Sequence, residues 1–349
     1  MNHRISFCTV CMNRLHHLRH TLPKNIEDNI SYPNIEFIVM DYSSTDGLED
    51  WMKKEMAAYI DKGILTYYRY TIADYFDRGH SRNMMFKLAS GEILCNVDAD
   101  NYIGENFAVY VNSVFTAEND IFLIPDTKMQ YYYIRDAFGR LCTRKTDFIS
   151  IRGYDEKMKG YGFEDNDLYD RLSHLGKRES VIKDIRYLNA IKHENNDRIA
   201  NEFFTHYLDS LYIHYESLTR SNVVILFKNG SFHMGAIIPD ADNGQAPALL
   251  ENLLWTSGTW KKEDQQIILN SSTGKDVLID HKTFLVHNNC TFFKIENEPF
   301  RERIPYELPF ITNYSYFLYN KRNRLPVNDN GFGQGSVHKN FSTLAIDVN

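Results

Sequence analysis

The chain has 349 residues, of which 43% are hydrophobic, and it carries a formal net charge of −7. That length is enough for one large domain or two of ordinary size. The negative charge argues against a nucleic-acid partner, which would require a basic surface. No apolar run reaches the roughly 18 residues of a membrane span, and the N-terminus lacks the apolar core of a signal peptide. The five scattered cysteines fit a reducing compartment, so we expect a cytoplasmic protein, with no indication of its oligomeric state.

The first hundred residues alternate between strand and helix patterns. Apolar runs predict the strands, and the segments between them have helical periodicity, with Asp46 and Gly91 in capping positions. Such alternation predicts an α/β fold with a mostly parallel central sheet and helices on both faces. The predicted strands cover residues 5–10, 35–41, 64–70 and 92–98, and the helices cover residues 15–22, 48–56 and 81–89.

The pattern changes along the rest of the chain. Two more helices are predicted, over residues 164–175 and over the aromatic-rich stretch 199–218. In the last third of the chain, short strands separated by Asn-Gly and Thr-Gly-Lys turns predict a smaller β-rich domain. We therefore expect one domain over residues 1–220 and an accessory domain over residues 221–349.

The fourth predicted strand ends in the sequence NVDADN, which places Asp98 and Asp100 one residue apart. Ligands of parallel sheets bind beyond the carboxyl ends of the strands, and Asp41 ends another predicted strand. Two like charges at this edge favour a divalent cation, such as Mg²⁺ or Mn²⁺, that is completed by substrate phosphates. For an isolated Asp-x-Asp the better interpretation is a turn cap and a solvated carboxylate, but the position after a buried strand favours the metal site.

Family 2 glycosyltransferases of the GT-A fold are similar to this chain in two stretches, VMDYSSTDG (39–47) and GHSRNMMFKLASGEILCNVDAD (79–100). The acceptor-side motif of inverting galactosyltransferases, in which an aromatic–glycine pair precedes Glu-Asp-x-Asp, is similar to GYDEKMKGYGFEDNDLYDRL (153–172). Their Asn-Arg-x-x-His-Leu segment resembles MNRLHHL (12–18). The resemblance covers roughly residues 4–200 and implies that this part is the catalytic domain.

The resemblance implies an inverting, metal-dependent enzyme with a UDP-sugar donor and Mn²⁺ or Mg²⁺ as cofactor. A hexose (galactose, glucose or their N-acetylamino derivatives) would pass to a glycan or lipid-linked saccharide in surface polysaccharide or glycan biosynthesis. A peripheral position at the inner membrane face is compatible with that role. The resemblance assigns the catalytic base to Asp165, nucleotide binding to Thr9, Asn13, Arg14, Asp41, Arg82 and Asp98, sugar or acceptor contacts to Tyr161, Glu164 and Asp167, and metal ligation to Asp100, His193 and Asp98.

Two positions depart from the galactosyltransferase pattern. Ala190 stands where that group has a methionine ligand, three residues before His193, which leaves the choice between Mn²⁺ and Mg²⁺ open. Phe163 stands where the group has glycine and is expected to narrow the sugar pocket, so the identity of the donor sugar does not carry over.

Three other interpretations are possible. A sugar-nucleotide nucleotidyltransferase would need a glycine-rich loop after the first strand, and CMNRLHHL (11–18) contains no glycine. A non-catalytic carbohydrate-binding protein would not need the complete set of carboxylates. A zinc or redox site at CTVC (8–11), near His16, His17 and His20, would lack the second cysteine pair that zinc sites usually have.

Overall fold

A computed structural model of the protein describes residues 2–126, 135–217, 220–237, 255–324 and 326–349. The strands, numbered in chain order, are β1 (Ile5–Cys11), β2 (Ile35–Tyr42), β3 (Leu65–Tyr70), β4 (Ile93–Asn96), β5 (Asn101–Tyr102), β6 (Ile121–Pro125), β7 (Cys142–Arg144), β8 (Arg178–Ile182), β9 (Asn189–Ala190), β10 (Leu208–Ser217), β11 (Arg220–Phe227), β12 (Ser231–Ile237), β13 (Thr256–Glu263), β14 (Gln266–Ser271), β15 (Gly274–Asp280), β16 (Phe284–His287), β17 (Cys290–Lys294), β18 (Gly335–Lys339) and β19 (Ala345–Val348).

The α-helices of the described residues are α1 (Leu15–Asn29), α2 (Leu48–Glu55), α3 (Ala57–Asp61), α4 (Arg78–Leu88), α5 (Phe107–Ala117), α6 (Lys145–Ser150), α7 (Glu164–His174), α8 (Asn195–Ile199), α9 (Phe203–Tyr207) and α10 (Glu298–Asn323). Short 3₁₀ turns cover Arg135–Ala137 and Ile185–Tyr187.

The chain divides into two compact units. Unit 1 contains Met1–Met158, Glu164–Asn201 and Arg324–Asn349, and unit 2 contains Lys159–Phe163 and Glu202–Asn323. This division differs from the predicted boundary at residue 220, because β10 precedes that boundary but pairs within unit 2, while the end of the chain returns to unit 1.

Unit 1 is built on a nine-stranded sheet with the order β19-β18-β3-β2-β1-β4-β7-β6-β8. The central strands β3, β2, β1 and β4 are parallel to one another. All seven residues of β1 are buried, as expected for a strand covered on both faces by helices. The predicted fold class, α/β with a mostly parallel central sheet and a smaller β-rich domain, is confirmed, and the predicted strands and helices of the first hundred residues lie close to the observed ones.

Unit 2 is a closed barrel of eight antiparallel strands, β10 to β17 in sequence order, together with α9 and the 26-residue helix α10. The long helix predicted over residues 199–218 is wrong, because Phe203–Tyr207 forms only a short helix there and half of the stretch, Leu208–Ser217, forms β10. Leu211 and Tyr212 in that strand are buried, and β10 closes the barrel by pairing with both β11 and β17. Strand pairing that closes the barrel therefore outweighs the helical pattern of this stretch.

The C-terminal strands complete unit 1. β18 pairs antiparallel with β3, His338 opposite Arg69, and β19 pairs with β18. Among the described residues, no helix combines the length and the apolarity needed to cross a membrane.

Candidate active site

Arg82, on α4, lies at the centre of a group of acidic side chains. Its guanidinium is only 2% exposed, with one terminal nitrogen 3.1 Å from Asp98 Oδ1 and the other 3.2 Å from Asp165 Oδ1. Glu164 Oε1 lies 3.8 Å from the second nitrogen. Because one guanidinium faces three carboxylates, this group favours an additional proton or cation.

Asp165 is the member of this group that can exchange a proton near neutral pH. Burial raises the pKa of Asp165 to about 7, although the charge of Arg82 lowers it. The neighbouring carboxylates of Glu164 and Asp98 raise this pKa further, and the hydroxyl of Tyr154, which donates to Oδ1 over 3.1 Å, lowers it. A carboxyl group with a pKa near the working pH is suited to general-base catalysis.

Separate elements position these groups. Asp98 follows β4 at the carboxyl edge of the sheet, whereas Asp165 lies in the first turn of α7. The dipole at a helix N-terminus favours ionised carboxylates, which partly offsets the burial of Asp165. The ring of Tyr154 lies 5.2 Å from the guanidinium carbon of Arg82, and this cation–π contact restricts the side chain further.

The short ladder between β5 and β9 brings Asp100 and His193 together. Asn101 pairs with Ala190 in that ladder, and the backbone N–H of Ile191 donates to the carbonyl oxygen of Asp100 over 2.8 Å. As a result, His193 Nε2 lies 2.7 Å from Asp100 Oδ2. At this distance the two groups share a hydrogen bond, and their carboxylate oxygen and imidazole nitrogen are of the types that ligate a divalent ion.

Asp98 and Asp100 each have a partner in the structure. Burial has the largest single effect and would raise the pKa of Asp98, but the charges of Arg82 and Arg78 and the hydrogen bonds from Asn96 and Arg82 together outweigh it and hold the pKa below its ordinary value. Asn96 Nδ2 also donates to Asp98 Oδ1 over 3.1 Å. A Cβ atom on Gly139 would lie 2.7 Å from Asp98 Oδ2, so a glycine leaves room for this carboxylate. The repulsion that the NVDADN sequence implies is therefore reduced by side chains of the protein itself.

Asp41 is fully buried at the end of β2. Its Oδ1 accepts from the backbone N–H of Ser44 over 2.7 Å, and its Oδ2 accepts from the Tyr67 hydroxyl over 2.5 Å. Burial raises the pKa of Asp41. Both of its oxygens thus have donors from the protein, and its contact with a nucleotide stays a prediction.

The other predicted nucleotide-binding residues lie on or directly after β1. Thr9 is buried within that strand. Asn13 has a φ of +54° and its Oδ1 accepts from the backbone N–H of Thr45 over 2.7 Å. The guanidinium of Arg14 contacts both the side-chain Oδ1 and the backbone oxygen of Asp197. These positions leave the assigned roles as predictions.

The predicted sugar and acceptor residues belong to both units. Tyr161 is in unit 2, where its ring stacks on Tyr306 with centroids 5.7 Å apart. Glu164 and Asp167 are in unit 1 and are buried. Asp167 Oδ2 lies 2.8 Å from Arg171 Nε and 2.7 Å from its Nη2, which ties one turn of α7 to the next.

The cysteine pair of β1 does not form a redox site. Cys8 and Cys11 are buried free thiols, and burial raises the pKa of each well above its usual range. A thiol that resists ionisation is neither a good nucleophile nor a ready metal ligand. His16, His17 and His20 lie on α1, outside that strand.

Several residues of the site were not singled out from the sequence. Tyr154 lies in the stretch 153–172, in which the predicted roles fall on Tyr161 and the acidic residues. Asn96 and Gly139 are not residue types that indicate catalysis. Asn96 could have been noticed as the polar residue that opens NVDADN within a buried strand.

Two family models match the chain. Residues 6–121 match the model described as glycosyl transferase family 2, and residues 123–194 match the model described as N-terminal domain of galactosyltransferase. Over these residues the chain is similar to the two families, and neither match alone covers half of its length. The two matches are nearly contiguous and cover the four stretches that carry the resemblance, so the resemblance to family 2 glycosyltransferases is confirmed. No curated protein matches the chain.

Solved structures similar to this chain include a mannosyltransferase from Pyrobaculum calidifontis in complex with GDP-Man and Mn²⁺. The likeness has 20% sequence identity and a TM-score of 0.46, and it covers 57% of this chain and 61% of that chain. Residues 1–349 of TarS from S. aureus, in complex with UDP-GlcNAc, are similar at 18% identity with a TM-score of 0.45, over 55% of this chain and 59% of that chain. This protein thus spans less than two thirds of either solved chain.

Proposed function

We propose that the protein is an inverting, metal-dependent glycosyltransferase that moves a hexose from a UDP-sugar to a glycan or lipid-linked acceptor, with Asp165 as the catalytic base. The observation that supports this best is the group around Arg82, in which a carboxyl group with a pKa of about 7 lies within 3.2 Å of a buried guanidinium. An inverting transfer needs one base to accept the acceptor's proton, and Asp165 is suited to that task.

Asp165, Arg82 and Glu164 would have separate roles in the transfer. The acceptor hydroxyl gives its proton to Asp165 while its oxygen attacks the anomeric carbon and the UDP departs from the opposite side. Arg82 holds Asp165 in place and keeps part of its population ionised. Glu164, beside the base, would contact hydroxyls of the donor sugar.

The donor set at the β5–β9 ladder fits a divalent ion. Asp100 and His193 would hold Mn²⁺ or Mg²⁺, whose positive charge, when bound, stabilises a departing diphosphate. Asp98, already hydrogen-bonded to Arg82, would complete the binding of the ribose or the ion on the same sheet edge. All five cysteines are free, which agrees with our proposal that the reaction takes place in the cytoplasm.

The experiment is a screen of UDP-sugars with and without EDTA, followed by transfer to a panel of acceptor glycosides. The substitution Asp165→Asn should lower transfer by about 10²–10⁴-fold and leave UDP affinity nearly unchanged, because general-base catalysis is typically worth that much. Asp170→Asn, on the same helix, serves as the matched control and should retain activity. Asp100→Ala should weaken UDP binding in the presence of Mn²⁺.

Three results would contradict the proposal. Transfer that withstands both EDTA and Asp100→Ala would remove the metal from the mechanism. Near-normal turnover by Asp165→Asn would remove the base. A product that keeps the anomeric configuration of the donor would rule out inversion.

A further inference from the structure

Three imidazole rings surround one carboxylate oxygen beside the candidate active site. Asp197, on α8, points its Oδ2 atom at His16 and His17, which occupy the first turn of α1. His16 Nε2 lies 3.8 Å and His17 Nε2 lies 3.9 Å from that oxygen. His193 Nδ1 lies 3.6 Å from the same atom.

These separations are compatible with ligands around a common ion. All three exceed the 2.7–3.2 Å of a normal hydrogen bond between nitrogen and oxygen. With metal–ligand bonds of about 2.1 Å, two ligand atoms of a tetrahedral site lie roughly 3.4 Å apart. The ligand atoms of His16, His17 and Asp197 lie within 4.8 Å of one another. A shift of a few tenths of an ångström in each side chain would therefore bring the ligand atoms of His16, His17 and Asp197 into contact with one ion.

We propose that His16, His17 and Asp197 form a second metal site, specific for a transition ion such as Zn²⁺ and distinct from the site at Asp100. Two imidazoles and one carboxylate, with the remaining positions open to solvent, are a common ligand set for zinc and related ions. Magnesium prefers oxygen ligands and would not bind here.

The surroundings of Asp197 fit this role. Its Oδ1 atom is occupied by the guanidinium of Arg14, which leaves Oδ2 facing the imidazoles. Ligating carboxylates usually receive such a hydrogen bond, since it fixes their orientation. His17 is buried and His16 is exposed, with side-chain exposures of 8% and 55%, so an ion can enter from solvent and still be held on its inner side.

The two metal sites would be neighbours joined by His193. Its Nε2 atom faces Asp100, and its Nδ1 atom faces Asp197. An ion at the second site would therefore tie α8 to the first turn of α1 and fix the position of this ring. Its effect would be on stability and on the placement of His193, and it takes no part in sugar transfer itself.

The experiment titrates the metal-stripped full chain with Zn²⁺ by calorimetry and with Co²⁺ by visible absorption. We expect the unsubstituted protein to bind Co²⁺ with the intense absorption of a low-coordinate site containing imidazole, and to gain melting temperature with Zn²⁺. The variants are His16→Gln, Asp197→Asn and Asp100→Ala, and the control is His20→Gln. His20 is exposed and lies one turn beyond His16 on α1.

His16→Gln and Asp197→Asn should each weaken Zn²⁺ binding by at least 100-fold and abolish the thermal shift, whereas Asp100→Ala and His20→Gln should keep both. His16→Gln changes an exposed side chain, so its fold can be verified by its circular dichroism and its melting temperature without metal. Retention of Zn²⁺ binding by His16→Gln would overturn the proposal, as would equal losses in His16→Gln and His20→Gln. A loss of Zn²⁺ binding in Asp100→Ala as well would show one shared site and would also overturn it. These outcomes do not depend on glycosyl transfer, so they can be told apart from a failure of the proposed function.

Discussion

A single buried arginine organises the candidate active site. Arg82 faces the carboxylates of Asp98, Asp165 and Glu164, and its own side chain is almost inaccessible to solvent. A buried charge is stable only when its partners remain, because removing one partner leaves the others unpaired. The arginine therefore serves the fold and the active site together.

The first prediction concerns the loss of this arginine. Arg82→Met should lower the free energy of unfolding by up to about 3–5 kcal/mol at pH 8, since it leaves the buried carboxylate of Glu164 and the partly exposed carboxylates of Asp98 and Asp165 without their cation. The loss should be smaller at pH 5, where Asp165 is already protonated. Urea unfolding at the two pH values measures both effects. Arg303→Met removes an exposed pair with Glu307 and should cost less than about 0.5 kcal/mol. A similar cost for both variants would contradict the role assigned to Arg82.

The second prediction concerns pH. Asp165 acts as a base only when ionised, so kcat/KM should fall about tenfold per pH unit below a pKa near 7 and level off above it. Tyr154→Phe removes the hydrogen bond that stabilises the carboxylate, so the acid limb should move to higher pH. The pH profiles of the two proteins test this directly. An unchanged limb, or a shift to lower pH, would show that a group other than Asp165 controls the rate.

At the level of elements, the third prediction concerns the segment Lys159–Phe163 of unit 2. Phe163 has a φ of +65°, in the left-handed region that favours glycine, the residue that the resemblance leads one to expect at this position. Its ring packs against Phe310, Tyr314 and Phe317 of α10. The packing of a large ring thus compensates for an unfavourable backbone conformation.

Substitutions of Phe163 separate the effect of ring packing from the effect of the unfavourable backbone conformation. Phe163→Ala keeps the left-handed backbone and loses the ring, whereas Phe163→Gly loses the ring but relieves the strain. The glycine variant should be more stable than the alanine variant by about 1 kcal/mol, with both below the unsubstituted protein. At the exposed strand position Phe293 the order should reverse, since glycine weakens a strand. Thermal unfolding gives both orders, and an alanine variant that is the more stable at Phe163 would refute the strain argument.

The elements also show what the sequence could reveal. The strands β1 to β4 follow from uninterrupted apolar runs, and the helices between them follow from their spacing and caps. The helix α10 could not be expected, because Pro305 and Pro309 lie inside it and proline normally ends a helix. The pairing of β5 with β9 was equally hidden, since a two-residue strand carries no periodicity.

The site itself was predictable only in part. The motifs indicated Asp98, Asp100, Asp165 and His193, because their residue types and order resemble a known family. The grouping of His16 and His17 with Asp197 depends on a contact between residues about 180 positions apart, and no local pattern encodes such a contact. No local pattern predicts the pairing of β18 with β3 in unit 1 either.

On the scale of the whole molecule, the pairing of β18 with β3 brings the residues that follow β18 close to the candidate nucleotide site. Asn340 Oδ1 accepts from the backbone N–H of Tyr67 over 2.9 Å, and the ring of Phe341 packs on the ring of Tyr67, 5.1 Å away. The hydroxyl of Tyr67 in turn donates to Asp41. Residues near the C-terminus thus hold in place the tyrosine that orients a predicted nucleotide-binding carboxylate.

The last prediction compares two ways of removing Glu202–Asn323, the larger part of unit 2. A chain that ends at Asn201 also lacks β18 and β19, so β3 becomes an exposed edge and Tyr67 loses its contacts with Asn340 and Phe341. A chain in which residues 202–323 are replaced by a flexible glycine–serine linker keeps those strands, and the entropic cost of a longer linker grows only slowly with its length. The second variant should melt cooperatively and bind UDP, whereas the first should be less stable and bind UDP more weakly. Calorimetry and UDP titration compare them.

The linker variant also tests whether the barrel of unit 2 selects the acceptor. If it does, this variant should hydrolyse UDP-sugar yet transfer poorly to the true acceptor. Equal stability and UDP affinity in the two variants would show that residues 324–349 do not support the site, and unimpaired transfer by the linker variant would remove acceptor selection from the role of unit 2.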